Sequence, residues 1–174
     1  QQARDVATAV AAVQARATQW GADPQRMVLM GHSAGAHLVA LLGASPSLLA
    51  GAGARTPRGV VSLDSAAMDV PEMMKKPLLP DLYNNAFGTD RAFWMAASPS
   101  HQLTRNGLPM LIVCSSRRAD ACPQGRALTE TAAGLGVPMQ VLPQDLSHGE
   151  INHELGEPSA YTRAVSDWID RAVK

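Results

Sequence analysis

The sequence predicts an α/β fold, a mostly parallel sheet with helices on both faces. Short runs of consecutive apolar residues alternate with longer segments whose apolar residues recur at helical spacing. Runs that are apolar at every position are typical of parallel strands, because such strands are covered on both faces. Strands that alternate with helices are joined by crossovers, which are right-handed by default. The 174 residues suffice for one domain, 1–174, with a substantial core.

The first half of the chain begins with a helix, a strand and a second helix. Apolar residues at helical spacing predict a helix over residues 3–20, which Gly21 ends. The apolar run 27–30 is the first predicted strand, and the helical pattern resumes at Ser33. A second buried strand is predicted over residues 59–63.

The second half continues the alternation. A third strand is predicted over residues 110–114, and Pro123 suits the first position of the helix that follows. A fourth strand is predicted over residues 137–142, and the last helix begins at Pro158.

The stretch between the second and third strands departs from this pattern. It forms an insertion at about residues 65–108 that holds four of the seven aromatic residues and several methionines. Two interpretations are open: a cap that covers a substrate, or core packed under a loop. The cap is favoured, because flexible methionines suit an adaptable apolar pocket.

Composition limits the classes of partner. Fifteen basic and fifteen acidic residues cancel, so nucleic acid is not an expected partner, and no apolar run is long enough to span a membrane. The protein is expected to be soluble, in the cytoplasm or in the periplasm or secreted. Cys114 and Cys122 lie eight positions apart, so one disulfide and two free thiols both remain open.

A G-x-S-x-G motif, Gly31-His32-Ser33-Ala34-Gly35, carries the chemistry. A strand runs into the motif and a helix leaves it, which is the setting of a nucleophile elbow. The turn is tight, so the small residues around Ser33, Gly31 and Gly35 among them, are expected to remove steric collisions. Ser33 is the candidate nucleophile at a helix N-terminus, and the N–H of Ala34 is the candidate oxyanion donor.

A serine nucleophile needs a base, and the expected order along the chain is serine, acid, histidine. Asp120 lies six residues beyond the third strand and is the predicted acid. His148 lies six residues beyond the fourth strand and is the predicted base. Both follow the carboxyl ends of strands, the edge at which Ser33 also lies.

Each of these assignments has an alternative. Asp64 directly follows the second strand and is the alternative acid, whereas Asp145 lies too close to His148 along the chain to orient it. His153 is the alternative base.

His32 and His37 are not expected to act as the base. His32 is expected to point away from the pocket, and His37 to be a buried histidine with its hydrogen bonds satisfied. No metal site is expected, because neither an HExxH motif nor paired cysteine ligands occur.

These motifs resemble those of a known family, the α/β-hydrolase carboxylesterases of the hormone-sensitive-lipase-like and feruloyl-esterase-like groups. The similarity covers nearly the whole chain, and it is carried by Asp23-Pro24-Gln25-Arg26-Met27, Gly31-His32-Ser33-Ala34-Gly35-Ala36-His37-Leu38, Leu63-Asp64-Ser65-Ala66-Ala67, Ala97-Ser98-Pro99 and Leu146-Ser147-His148-Gly149. The resemblance implies an α/β-hydrolase sheet, acyl-serine chemistry without a cofactor, and a triad of Ser33, Asp120 and His148.

The sequence departs from that family before the motif. Only about thirty residues precede Ser33, so the usual first strands, and the His-Gly-Gly segment that supplies a second oxyanion N–H, are missing. Three explanations are open: a segment of a longer chain, which is favoured, a partner segment or homo-oligomer that completes the sheet, and a minimal variant.

The resulting expectation is a serine hydrolase that cleaves small acyl or aryl carboxylic esters through an acyl-serine intermediate. An arylformamidase-type amide hydrolase on the same scaffold and a non-catalytic binding protein with a hydrolase fold are the alternatives.

Overall fold

A four-stranded sheet forms the centre of the computed structural model, which describes all 174 residues. The strands pair in parallel in the order β1-β2-β3-β4. They are β1 (Val28–His32), β2 (Gly59–Leu63), β3 (Met110–Ser115) and β4 (Met139–Gln144). The predicted parallel sheet with helices on both faces is therefore confirmed.

Ten α-helices accompany the sheet. They are α1 (Gln2–Arg16), α2 (Ala34–Ala44), α3 (Ser47–Gly51), α4 (Val70–Met73), α5 (Asp81–Phe87), α6 (Arg91–Ala96), α7 (Pro99–Gln102), α8 (Ala121–Leu135), α9 (His148–His153) and α10 (Ala160–Ala172). A 3₁₀ turn over Ala17–Trp20 continues α1, and Gly21 ends it in the left-handed conformation (φ 75°), as predicted. None of the helices combines the length and the hydrophobicity that a bilayer span requires.

The predicted and observed strands differ mainly at their ends. The second strand has the predicted bounds, whereas β1 runs on through Gly31 and His32, which resemble turn residues in the sequence. β4 begins two residues later than predicted, because the N–H of Val137 is used to close the end of α8 on the carbonyl of Ala132 (2.9 Å).

The core lies on both faces of the sheet. On one face α1, α2 and α8 cover the strands, and the buried side chains of this cluster include Val39, Leu42, Val60, Met110, Ile112 and Leu128. On the other face α9 and α10 cover a smaller cluster that includes Val61, Leu63, Leu111, Ile151, Tyr161 and Val165. Residues from both sides of β2 and β3 are buried, which is why these strands read as continuous apolar runs.

The segment predicted as an insertion holds the four short helices α4 to α7. It has a small apolar cluster of its own, made of Ala67, Val70, Met73, Phe87 and Ala97. Its ends belong elsewhere: Met68, Leu103 and Leu108 pack into the larger cluster on the sheet. The separately packed part is therefore shorter than residues 65–108.

Replacing Leu42 with alanine tests this account of the core. The Leu42 side chain is fully buried (0% exposed), so truncation should leave a cavity and lower the free energy of unfolding by about 2–5 kcal/mol. Leu78 is 93% exposed, so Leu78→Ala should change it by less than about 0.5 kcal/mol. Urea titrations of both variants measure the difference, and similar losses in the two would contradict the packing described.

Candidate active site

The turn between β1 and α2 presents the side chain of Ser33. β1 ends at His32 and α2 begins at Ala34, so Ser33 is the single residue between strand and helix. Its backbone has φ 57° and ψ −116°, a conformation that residues other than glycine rarely adopt. The Ser33 N–H donates to the carbonyl of Leu63 (3.0 Å), which ties the turn to the end of β2.

Gly31 allows this turn to close. A Cβ atom at Gly31 would lie 2.4 Å from the carbonyl oxygen of Gly35, a distance that atoms do not tolerate. The collision that the sequence predicted at Gly35 itself is absent, because a Cβ there would meet no atom of another segment within 4 Å. The two glycines of the motif are therefore not equivalent: only Gly31 is required for steric reasons.

Three side chains from distant parts of the sequence form a continuous chain of hydrogen bonds. Nε2 of His148 lies 3.0 Å from Oγ of Ser33, and Nδ1 of His148 lies 2.6 Å from Oδ2 of Asp64. His148 is the first residue of α9, which a capping box of Ser147 and Glu150 initiates. The structure therefore brings Ser33 and His148 together as predicted, with Asp64 as the third member.

Asp64 is a buried carboxylate with donors on both oxygens. Its side chain is 0% exposed; Oδ1 accepts from the N–H of Ser115 (2.8 Å), and Oδ2 accepts from His148 and from Nη1 of Arg118 (2.8 Å). Burial acts to raise the pKa of Asp64, but the Ser115 N–H, Arg118 and His148 together outweigh it and hold the pKa below its ordinary value. The carboxylate is therefore ionised at neutral pH.

Asp120, the acid predicted from the sequence, does not reach His148. It lies at the N-cap of α8, and its carboxylate pairs with Nζ of Lys76 (3.2 Å) and Nη2 of Arg118 (3.3 Å). The choice of Asp120 over Asp64 is thus wrong as a prediction of geometry. The physical reason is that α8 starts at Ala121, two residues before Pro123, so Asp120 is held at the helix start with Arg118 between it and the imidazole.

The other residues weighed in the sequence lie in different places. His153 is exposed in the last turn of α9, and Asp145 binds Arg117 (2.8 Å) at the surface. His32 was expected to point away from the pocket, but it contacts His148. Its ring lies against that of His148 (centroids 4.5 Å apart), and its Nε2 is 2.8 Å from the carbonyl oxygen of His148, to which it donates in the matching tautomer.

His37 also has its hydrogen bond satisfied. Its Nε2 lies 2.7 Å from the carbonyl oxygen of Ala97, and its ring forms a T-shaped pair with that of Phe87 (centroids 5.4 Å apart). Burial lowers the pKa of His37, more than this hydrogen bond raises it, so the ring is neutral at neutral pH. His37 therefore joins α2 to the segment that carries α4 to α7 and does not take part in the hydrogen-bond chain.

Two further features of the site lie around the β3–α8 loop, and the sequence analysis missed the first of them. Asp64 is bound by Ser115 at the end of β3 and by Arg118 in the β3–α8 loop, and no spacing rule marks either residue. Cys114 and Cys122 form a disulfide across the same loop, one of the two states that the sequence left open. The Ser115 hydroxyl donates to the carbonyl of Leu146 and so links this loop to the segment before His148.

The first amide of α2 is free. The N–H of Ala34 has no acceptor in the chain, and Ala34 is exposed beside Ser33. Unpaired N–H groups at the first turn of a helix attract negative charge. No group of three or more His, Cys, Asp and Glu side chains is arranged to hold a metal ion.

The environment of Asp64 predicts how stability depends on pH. Its pKa is lower in the folded state than in the unfolded chain, so its contribution is complete above about pH 4 and is lost as the pH falls through the folded value. Asp64→Asn should lower the melting temperature at about pH 7 and flatten its decline below about pH 4. Asp167 is exposed and unpaired, so Asp167→Asn should follow the wild type. If the melting temperatures of wild type and Asp64→Asn fell equally steeply below about pH 4, the proposed contribution of the Asp64 carboxylate to stability would be contradicted.

The similarities of this chain to known proteins are consistent with the fold described above. The family model BD-FAE matches residues 1–52, the stretch from α1 to the end of α3 that includes the Ser33 turn. No curated protein matches the sequence.

Solved structures of esterases are similar in fold. A truncated form of a carbohydrate esterase from gut microbiota aligns with a TM-score of 0.81 at 17% identity, over 99% of this chain and 68% of that one. Esterase 2 of Thermogutta terrifontis aligns with a TM-score of 0.73 at 22% identity, over 98% of this chain and 63% of that one. Carboxyl esterase 2 of Tuber melanosporum aligns with a TM-score of 0.73 at 19% identity, over 97% of this chain and 61% of that one. The chain thus spans about two thirds of the length of these proteins, and it has the α/β-hydrolase fold that they share.

Proposed function

We propose that this chain carries the catalytic machinery of a serine hydrolase that cleaves carboxylic esters. The observation that carries the proposal is the distance of 3.0 Å between Oγ of Ser33 and Nε2 of His148, at the strand–helix turn of an α/β-hydrolase fold. A serine hydroxyl becomes a nucleophile when an adjacent base accepts its proton. The distance between Oγ and Nε2 is that of a hydrogen bond, along which the proton can be transferred.

Asp64 is the acid of the proposed triad. Its carboxylate lies 2.6 Å from Nδ1 of His148, so it favours the tautomer with hydrogen on Nδ1 and a lone pair on Nε2. This is the tautomer that a base requires at Ser33. When His148 takes the serine proton, the ionised carboxylate stabilises the imidazolium without accepting the proton itself.

The reaction proceeds in two steps. Oγ of Ser33 attacks the ester carbonyl carbon as its proton moves to Nε2 of His148, and the carbonyl oxygen becomes an oxyanion near the free N–H of Ala34. The C–O bond to the alcohol then breaks, and His148 protonates the leaving oxygen. Water attacks the acyl-serine in the same way, the carboxylic acid leaves, and Ser33 recovers its proton.

The segment that carries α4 to α7 is the proposed substrate cover. It is joined to α2, the helix that starts beside Ser33, by the contact of His37 with Ala97 and Phe87. Phe93 and Met95 on α6 are about half exposed, which gives this segment free apolar surface. Small acyl or aryl esters suit such a surface. The similar solved proteins are described as esterases, which supports the same class of reaction.

Labelling with a fluorophosphonate probe tests the nucleophile. One form of Thermogutta terrifontis esterase 2 is phosphonylated by sarin, and the same type of reagent should attach to Ser33 of this folded chain. Ser33→Ala should abolish labelling and lower turnover of p-nitrophenyl acetate at least about a thousandfold. Ser166 is exposed on α10 and its side chain makes no hydrogen bond, so Ser166→Ala should label and turn over like wild type. A folded wild type that takes no label would reject the enzyme in favour of a non-catalytic protein.

Two substitutions separate the candidate acids. Asp64→Asn removes the charge and replaces one of the two acceptor oxygens with an NH2 donor, so the tautomer of His148 is no longer fixed and kcat for p-nitrophenyl acetate should fall by about 10³–10⁴. Asp120→Asn leaves that contact in place and should cost less than about tenfold. The larger loss in Asp120→Asn would return the acid to the position that the sequence predicted.

A further inference from the structure

Arg118 lies at the centre of the site without a part in the proposed reaction. Its Nη1 is 2.8 Å from Oδ2 and 3.3 Å from the carbonyl oxygen of Asp64, and 3.1 Å from Nδ1 of His148. Its side chain is 25% exposed, so the charge is only partly screened by solvent. A cation is thus in direct contact with both the acid and the base.

Arg118 and His148 share one oxygen of Asp64. Arginine carries only donors, and Nδ1 bears hydrogen when it binds the carboxylate, so the contact of 3.1 Å between the two nitrogens is no hydrogen bond in that tautomer. Both groups donate to Oδ2, and Ser115 donates to Oδ1. The carboxylate is therefore fixed from three directions, and its charge is partly neutralised by the guanidinium.

Asp120 has a part in this arrangement. Its Oδ1 lies 3.3 Å from Nη2 of Arg118, while its Oδ2 pairs with Lys76. The same Oδ1 is a buried atom without any hydrogen bond, so its interaction with the guanidinium is ionic and poorly directed. Asp120 therefore attracts Arg118 toward its place beside Asp64 but does not set its orientation.

We propose that Arg118, anchored by Asp120, is a positioning residue that holds the Asp64 carboxylate in line with Nδ1 of His148 and offsets its charge. Without the offset, the imidazolium would be stabilised by an uncompensated carboxylate, and His148 would stay protonated to higher pH. The proposal rests on the proposed function for its effect on rate, but its effect on His148 is a property of the free protein.

Few other charged or titratable groups face the imidazole. These are Asp64 after β2, Arg118 in the β3–α8 loop and His32 at the end of β1, with Asp120 beyond Arg118 and Tyr161 of α10 behind Asp64. Tyr161 is neutral, since burial and the Asp64 charge raise its pKa to about 12. Arg118 is therefore the cation whose removal should change the titration of His148 most.

The test compares Arg118→Met, which keeps an unbranched side chain but is shorter and uncharged, with Arg118→Lys, which keeps the charge. Arg126→Met is the matched control, because Arg126 is exposed on α8 and its side chain makes neither a hydrogen bond nor an ion pair. NMR titration of the His148 ring in each folded variant measures the protonation of His148 directly. The pH dependence of kcat and KM for p-nitrophenyl acetate measures the effect of each substitution on catalysis.

Arg118→Met should raise the midpoint of the His148 titration, and of the acid limb of kcat, by about half a pH unit or more. It should lower the plateau of kcat about tenfold, because His148 would be less well positioned to act as the base. KM should stay within about twofold of wild type, because the base acts in the reaction and not in substrate binding. Arg118→Lys should return the midpoint to within about 0.2 units of wild type and recover kcat only in part, since lysine is shorter and has one nitrogen where arginine uses Nη1 for Asp64 and Nη2 for Asp120.

An unchanged His148 midpoint in folded Arg118→Met would overturn the proposal, and so would a shift of equal size in Arg126→Met. If Arg118→Met does not fold, Arg118→Gln, smaller and polar, is judged by the same midpoint. A wild type without esterase activity rejects the proposed function alone, because the NMR titration still decides whether Arg118 acts on His148.

Discussion

Two neighbouring turns with unusual backbone conformations hold the site together. Ser33 and Asp64 are the only non-glycine residues with positive φ (57° and 59°), and they directly follow β1 and β2. The parallel register pairs His32 with Leu63, so the two turns lie side by side, and the N–H of Ser33 binds Leu63 across them. Such conformations persist only where the surroundings fix them. The positions of the hydroxyl and the carboxylate therefore depend on the register of two strands.

Much of this architecture is readable from the sequence, because its signals are local. The apolar runs of β2 and β3 and the turn at Ser33 each depend on a few adjacent residues, and the structure places them as predicted. His148 follows from the rule that polar residues after parallel strands gather at one edge. The spacing of these elements sets which side chains share the edge.

The partner of His148 was not readable in the same way. Asp64 and Asp120 both follow strands, and only the left-handed turn at Asp64 and the early start of α8 decide which one meets the imidazole. Neither feature has a marker in the sequence, since aspartate suits both a left-handed turn and a helix cap. The role of Arg118 was missed for a similar reason, because its position depends on Asp64, which lies 54 residues away along the chain.

The disulfide between Cys114 and Cys122 has a consequence for chain integrity. The bond makes a covalent ring of the residues that run from the end of β3 into the first turn of α8, and that ring includes Ser115 and Arg118. A single break of the backbone inside the ring would leave both new ends attached to the molecule through sulfur. The two pieces would then stay covalently joined until a reductant separated them.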